Sequence, residues 1–152
     1  YEWAKSQAAK NKTRLGSMQD EWDLIKDSQK DSNRLPARHL FIKLRFVHAD
    51  LSDQTTGEEL DFDSLEPEVW DRIARMEHNR WNAEKYINGF VQIEGVSDKN
   101  LGNFLKGNLK CHWDLVPFDD LSKETQDYDK FTFRMAPVIA HLNKKRILKR
   151  EM

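Results

Sequence analysis

The sequence predicts a mainly α fold, a small helical domain with short irregular or β segments in its loops. Proline and glycine are scarce, with four and six residues among 152, and most of them fall where breaks between helices are expected. Apolar residues recur at helical spacing, most clearly from Val69 to Phe90. Five Trp, eight Phe and three Tyr are enough large apolar side chains to build a core, which argues against a disordered chain.

At this length we expect one domain, over residues 20–150. It follows a polar, loosely held lead-in at residues 1–19. Residues 20–66 are expected to form a helical N-terminal extension, and residues 67–150 the main part of the domain. Because the chain begins at Tyr1 rather than Met, we also expect it to be a piece of a longer protein with further domains.

Two helices are predicted in the extension. The first runs from near Asp20 to about residue 33 and should stop or kink before Pro36, because the residue before a proline disfavours the α conformation. The second covers residues 37–47, where Leu40, Leu44 and Val47 share one face.

The near-neutral net charge of -1 conceals two charged segments. Nine acidic residues and no basic residue lie between Asp50 and Asp71, and we expect the first part of this segment to be an exposed loop. From Lys144 to Glu151 there are five basic residues and one acidic residue, a pattern typical of a solvated helix end. An alternative hypothesis makes both segments docking surfaces of a protein-interaction domain without a small ligand.

The best-defined helix spans residues 67–88, and Gly89 stands where a left-handed cap should end it. Its apolar face includes Ala83 and Ile87, and Arg80 interrupts that face between Glu77 and Glu84, one turn away on either side. One interpretation is a buried ion pair beneath a core Trp81. The other is a pocket wall in which Trp81 stacks on a flat ligand and the charged residues contact it.

The C-terminal half is less regular. Residues 91–111 read as a loop region with at most short strands or one helical turn. A final helix should begin at Thr125, with a kink near Pro137. Its expected buried stripe consists of Tyr128, Phe131, Met135, Val138 and Leu142.

The residues favour neither catalysis nor a metal or other cofactor. The only cysteine, Cys111, cannot form an internal disulfide or a cysteine zinc site, and it fits a reducing, cytoplasmic setting. His78 beside Glu77 and His112 beside Cys111 lack the geometry that a general base or nucleophile needs. No apolar run is long enough for membrane insertion, and the net charge makes nucleic acid an unlikely partner. The sequence leaves the oligomeric state open.

Two motifs resemble those of a known family. Residues 77–85, which read EHNRWNAEK and are followed by Gly89 and Phe90, resemble the first helix of the ryanodine receptor repeat (RyR) domain. Residues 112–121, HWDLVPFDDL, are similar to its second motif. The segment 32–44 resembles the helical lead-in of bacterial members, which often follow a potassium-transport-type NAD-binding (TrkA-N) domain. The resemblance covers residues 20–150 and makes residues 67–150 the repeat itself.

The resemblance implies a non-catalytic, cytosolic regulatory or ligand-sensing module within a larger potassium-transport-related or signalling protein. In the calcium-release channel, a paired-repeat domain of this kind can hold an adenine nucleotide between aromatic side chains. Carried over to this sequence, Trp81 becomes the stacking residue for a nucleotide-like molecule. The residues expected around it are Glu77, His78, Arg80 and Glu84, with His112, Pro117 and Phe118 on the opposite wall.

Overall fold

The computed structural model describes residues 17–150, and these form a mainly helical architecture. The helices are α1 (Met18–Leu24), α2 (Asp27–Phe46), α3 (Pro67–Ile87), α4 (Lys99–Asn108), α5 (Lys123–Arg134) and α6 (Ala136–Leu142), with a 3-10 turn at Phe118–Asp120. The strands are β1 (Ala49–Ser52), β2 (Val91–Gln92), β3 (Cys111–His112) and β4 (Arg146–Lys149). By internal contacts the chain divides into two units, the first ending at Arg38 and the second beginning at His39.

The helix does not stop before Pro36, so that part of the prediction is wrong. The break lies earlier, between α1 and α2, and Pro36 is inside α2. Proline can occupy this position because its fixed φ is itself helical, so that the helix loses a hydrogen bond without being forced to end. Ser17 begins α1 through a capping box with Asp20, and residues 1–16 of the predicted lead-in lie outside the described residues.

The core of the second unit forms where α3 packs against α5. Its buried residues include Leu40, Leu44, Ala49, Ile73, Phe133, Ala136, Ala140 and Ile147. The predicted stripe on the last helix is wrong for Tyr128, Phe131, Val138 and Leu142, which are exposed. The buried residues of α5 and α6 keep the same spacing of three and four residues but lie two positions earlier, at Gln126, Asp129, Phe133, Ala136 and Ala140. The prediction therefore placed the buried stripe on the wrong face.

The first half of α3 follows the predicted apolar face, but the second half does not. Ile73 is buried and Val69 and Met76 are partly buried, whereas Ala83 is exposed and Ile87 is 86% exposed. In place of the apolar side chains, α3 buries Glu77, His78 and Glu84. The cap is confirmed, since Gly89 has φ 80° directly after the helix.

The acidic and basic segments pair with each other. Strand β4 runs antiparallel to β1, so the basic tail forms a strand rather than the predicted helix end. Ion pairs join Lys145 to Asp53 at 2.6 Å, Arg146 to Glu59 at 2.5 Å, Arg150 to Asp50 at 3.1 Å, and Lys149 to Glu58. These contacts hold the acidic residues against the basic tail, although the two segments are far apart in the sequence.

The region between α3 and the 3-10 turn is more ordered than predicted. Strands β2 and β3 form a short parallel pair, and α4 fills the connection between them with ten residues instead of one turn. The side chain of Asp98 caps α4 by accepting hydrogen bonds from the backbone N–H groups of Asn100 and Leu101, at 2.8 and 2.9 Å. None of the described helices combines the length and the apolar character that a membrane crossing requires.

Candidate functional site

An aromatic cluster centres on Trp81, which projects from α3 between two histidines. The His78 ring stacks on the indole with the ring centroids 5.7 Å apart. The His112 ring contacts the indole edge-on, with the centroids 4.8 Å apart. His112 also contacts Trp113 at 5.4 Å between centroids. We call these four residues the aromatic site. The structure therefore brings together the first motif, on α3, and the start of the second motif, at the end of β3.

Two lysines place ammonium groups over the indoles of the aromatic site. The Lys85 Nζ lies 5.6 Å from the centroid of Trp81, and the Lys106 Nζ lies 3.7 Å from the centroid of Trp113. Lys106 comes from α4, so this helix, which the sequence did not predict, contributes a charge to the site. Burial lowers the pKa of Lys106, and Asp114 opposes that shift.

The position of Trp113 depends on a glycine of α4. A Cβ added to the buried Gly102 would lie 3.1 Å from the Trp113 ring and 3.5 Å from Val96. The absence of a side chain thus lets α4 approach the indole closely, which in turn brings Lys106 over its face.

His112 is a neutral member of the site. Its pKa is lowered from 6.5 to about 4, first because burial disfavours the charged form and then because Lys106 and Lys85 repel it. The backbone N–H of Asp114 donates to His112 Nδ1 at 3.1 Å, so the ring proton resides on Nε2. His112 therefore offers an N–H donor beside the two tryptophans.

Acid is expected to destabilise the fold through His112. Because its pKa is lower in the folded chain, the unfolded chain binds more protons at this residue between pH 6.5 and about 4. The free energy of unfolding should fall across that window by up to about 3 kcal/mol. Urea unfolding of wild type and His112→Gln at both ends of the window measures the effect, and equal pH dependence in the two proteins would show that His112 does not titrate this way.

The pKa of His78 shifts in the opposite direction to that of His112. Burial acts to lower its pKa, but Asp129, 3.2 Å from Nδ1, and the Val116 carbonyl, 2.8 Å from Nε2, outweigh burial and raise the pKa. Its contribution to stability is present below the unfolded pKa and is lost as the pH rises through the folded one. The comparison with His112→Gln separates the two histidines, because His78 is unchanged in that variant.

The wall formed by the second motif is held by side chains of α3 that the sequence reasoning missed. Asn82 donates to the Val116 carbonyl at 3.1 Å and Tyr86 to the Leu115 carbonyl at 3.2 Å, beside the contact from His78. These three residues are spaced four apart, so one face of α3 binds the backbone of residues 115–116. That spacing of polar residues is the sequence signal that could have identified them.

The charged residues of α3 form an ion cluster, as in the first of the two interpretations given above. Arg80 donates to Glu77 Oε1 at 2.7 Å and to Glu84 Oε2 at 2.7 Å. The other oxygen of Glu77 accepts from Lys43 at 2.5 Å, and Lys43 also donates to Thr132 at 3.0 Å. Lys43, at 1% exposure, was not among the predicted site residues. The ion-pair interpretation of Glu77 and Arg80 describes this cluster.

The predicted opposite wall is divided in the structure. Phe118 is buried against Ala74 and Leu121, and its carbonyl accepts from Gln126 at 3.0 Å. Pro117 is exposed and precedes the 3-10 turn. Of the second motif, His112 and Trp113 thus lie in the aromatic site, while Phe118 belongs to a small core beneath His78.

Among residues 17–150, no group of three or more His, Cys, Asp or Glu side chains is placed to hold a metal ion. The Cys111 thiol donates to the Leu109 carbonyl at 3.4 Å, at the edge of the site. No family model matches the chain, and no curated protein sequence matches it.

Proposed function

We propose that this chain is a non-catalytic, RyR-type ligand-sensing module that binds a nucleotide-like molecule at the aromatic site. One observation carries the proposal. The ammonium groups of Lys85 and Lys106 lie over the indoles of Trp81 and Trp113, and the His112 ring contacts both indoles. Stacking surfaces and positive charges in one place suit a flat ring that bears anionic groups.

The chemistry of the site supports this class of ligand. Trp81 and Trp113 are half-buried, so each combines a fixed orientation with accessible surface. A nucleobase can stack on such a ring after the lysine side chain above it moves aside, with about 1–3 kcal/mol at stake per aromatic contact. Phosphate oxygens can accept from the lysines, and the neutral His112 can donate to a base edge or a ribose hydroxyl.

The resemblance to RyR domains supports the same site, since it singles out Trp81 and His112 independently of the structure. By that resemblance, the module would regulate a larger cytoplasmic protein related to potassium transport or signalling. The rival hypothesis of charged docking surfaces is weaker, because the acidic segment and the basic tail neutralise each other within the chain.

Calorimetric titration with AMP, ADP, ATP and cyclic AMP tests the proposal. We expect at least one of these nucleotides to bind wild type, and Trp81→Leu to weaken that binding by about 1–3 kcal/mol, the value of one stacking contact. Circular dichroism should show that the variant remains folded, whereas unfolding would make Trp81 a core residue.

Lys106→Gln provides a second variant that leaves the tryptophans in place. We expect this substitution to weaken the binding of ADP and ATP more than the binding of AMP, because the loss of an ammonium group costs more affinity as the phosphate charge increases. The matched control is Lys99→Gln on the same helix, where the lysine is exposed. Failure of all four nucleotides to bind wild type, or equal affinity of wild type and Lys106→Gln for ATP, would contradict the proposal.

A further inference from the structure

An open pocket lies near the first turn of α3, at the end of this helix away from Gly89. It has a volume of about 610 Å³, and its lining residues are Phe62, Asp63, Trp70, Arg134 and Pro137. This volume is within the range of about 300–1,000 Å³ that is typical of small-molecule pockets. We call it the α3–α6 groove. It shares no lining residue with the aromatic site.

The aromatic floor of the groove is fixed to the core. Phe62 and Trp70 both pack on Phe133, with centroids at 5.2 and 5.5 Å, and Phe133 is fully buried. Pro137 in the first turn of α6 adds a rigid apolar wall. A ligand entering the groove therefore meets an apolar surface that is already ordered, which lowers the entropic cost of binding.

Two opposite charges on solvent-exposed residues at the groove have no ion-pair partner among the described residues. The Arg134 guanidinium lies over Trp70, 5.4 Å from its centroid, and the Asp63 carboxylate follows Phe62 in the loop before α3. The turn that presents Asp63 is fixed by a 3.0 Å hydrogen bond from its backbone N–H to the Asp61 carboxylate. The indole orients the guanidinium but leaves its N–H donors available to an anion.

A ligand complementary to this groove has a carboxylate that binds Arg134, an ammonium group that binds Asp63 and an apolar side chain that packs on the aromatic floor. A purely anionic ligand would be repelled by Asp63, and a purely cationic one by Arg134. We propose that the α3–α6 groove binds a zwitterionic amino acid or the free termini of a short peptide, with an aromatic or aliphatic side chain packed against Phe62 and Pro137.

Titration with L-phenylalanine and with the dipeptide L-phenylalanyl-L-alanine, followed by NMR at the Trp70 indole N–H, tests this proposal. We expect binding of at least one probe, and about a tenfold loss of affinity when its amine is acetylated or its carboxylate amidated, corresponding to about 1.4 kcal/mol. The tighter of the two probes distinguishes an amino-acid site from a peptide site.

Arg134→Gln and Asp63→Asn should each weaken binding by a similar factor. Their matched controls are Arg72→Gln and Asp120→Asn, which change exposed residues outside the groove and should leave affinity unaltered. The proposal is overturned if neither probe binds, if the blocked probes bind as well as the free ones, or if both groove variants keep wild-type affinity. Nucleotide binding at the aromatic site is unaffected by any of these outcomes.

Discussion

Replacing Lys43 by alanine is expected to destabilise the folded chain by about 3–5 kcal/mol, because it leaves a buried carboxylate without its closest cation. Lys43 and Glu77 are 1% and 3% exposed, and their charged atoms are 2.5 Å apart. Arg80 would remain beside Glu77, but it binds the other oxygen and is shared with Glu84. Burial lowers the pKa of Lys43, and the Glu77 carboxylate opposes that shift.

A double-mutant cycle with Lys43→Ala and Glu77→Gln, followed by urea unfolding, measures the pair. The double variant should be less destabilised than the sum of the single ones, since the neutral amide no longer needs the lysine. Arg45→Ala on the same helix is the control. Its side chain is 70% exposed and 3.8 Å from Asp50, so its removal should cost less than about 1 kcal/mol. Additive effects of the two substitutions in the cycle would contradict the coupling.

Phe133→Ala is expected to cost about 3–5 kcal/mol, the range for truncation of a buried aromatic side chain. Phe133 has no exposed surface and supports both Phe62 and Trp70. Its loss would leave a cavity beneath the groove floor and also release the two rings that line it. Thermal or urea unfolding of the variant gives the destabilisation directly.

Phe131→Ala is the matched control, two residues away on the same helix. Phe131 is 41% exposed, so the same truncation there should have a much smaller effect. An equal loss of stability in the two variants would mean that α5 does not bury the face that the structure assigns to it.

The wrong prediction of the buried face of α5 and α6 shows what a periodic sequence pattern leaves undetermined. Tyr128, Phe131, Val138 and Leu142 lie at helical spacing, but so do the residues that are buried, Gln126, Asp129, Phe133, Ala136 and Ala140. Tertiary packing selects between these two faces, and the periodic pattern alone does not report that choice. The cap at Gly89 was predictable because it depends only on local backbone geometry.

In the candidate site, too, local contacts were predictable from the sequence and contacts between distant segments were not. The contacts of Arg80 with Glu77 and Glu84 were predictable, because one helical turn separates them. Lys43 and Lys106 were not, since their partners lie elsewhere in the chain. Lys43 did leave a signal, as it falls on the apolar face between Leu40 and Leu44, where a lysine needs a buried partner.

NMR spectra of the tryptophan indole N–H groups during titration with AMP, ADP, ATP and cyclic AMP test the central claim most directly. The proposed function requires at least one of these nucleotides to shift the signals of Trp81 and Trp113, which lie in the aromatic site, and to leave that of Trp70 in place. Each signal can be assigned by single Trp→Phe substitutions. Shifts confined to Trp70, or no shift of any indole signal at high concentrations of all four nucleotides, would contradict the claim that the aromatic site binds a nucleotide-like ligand.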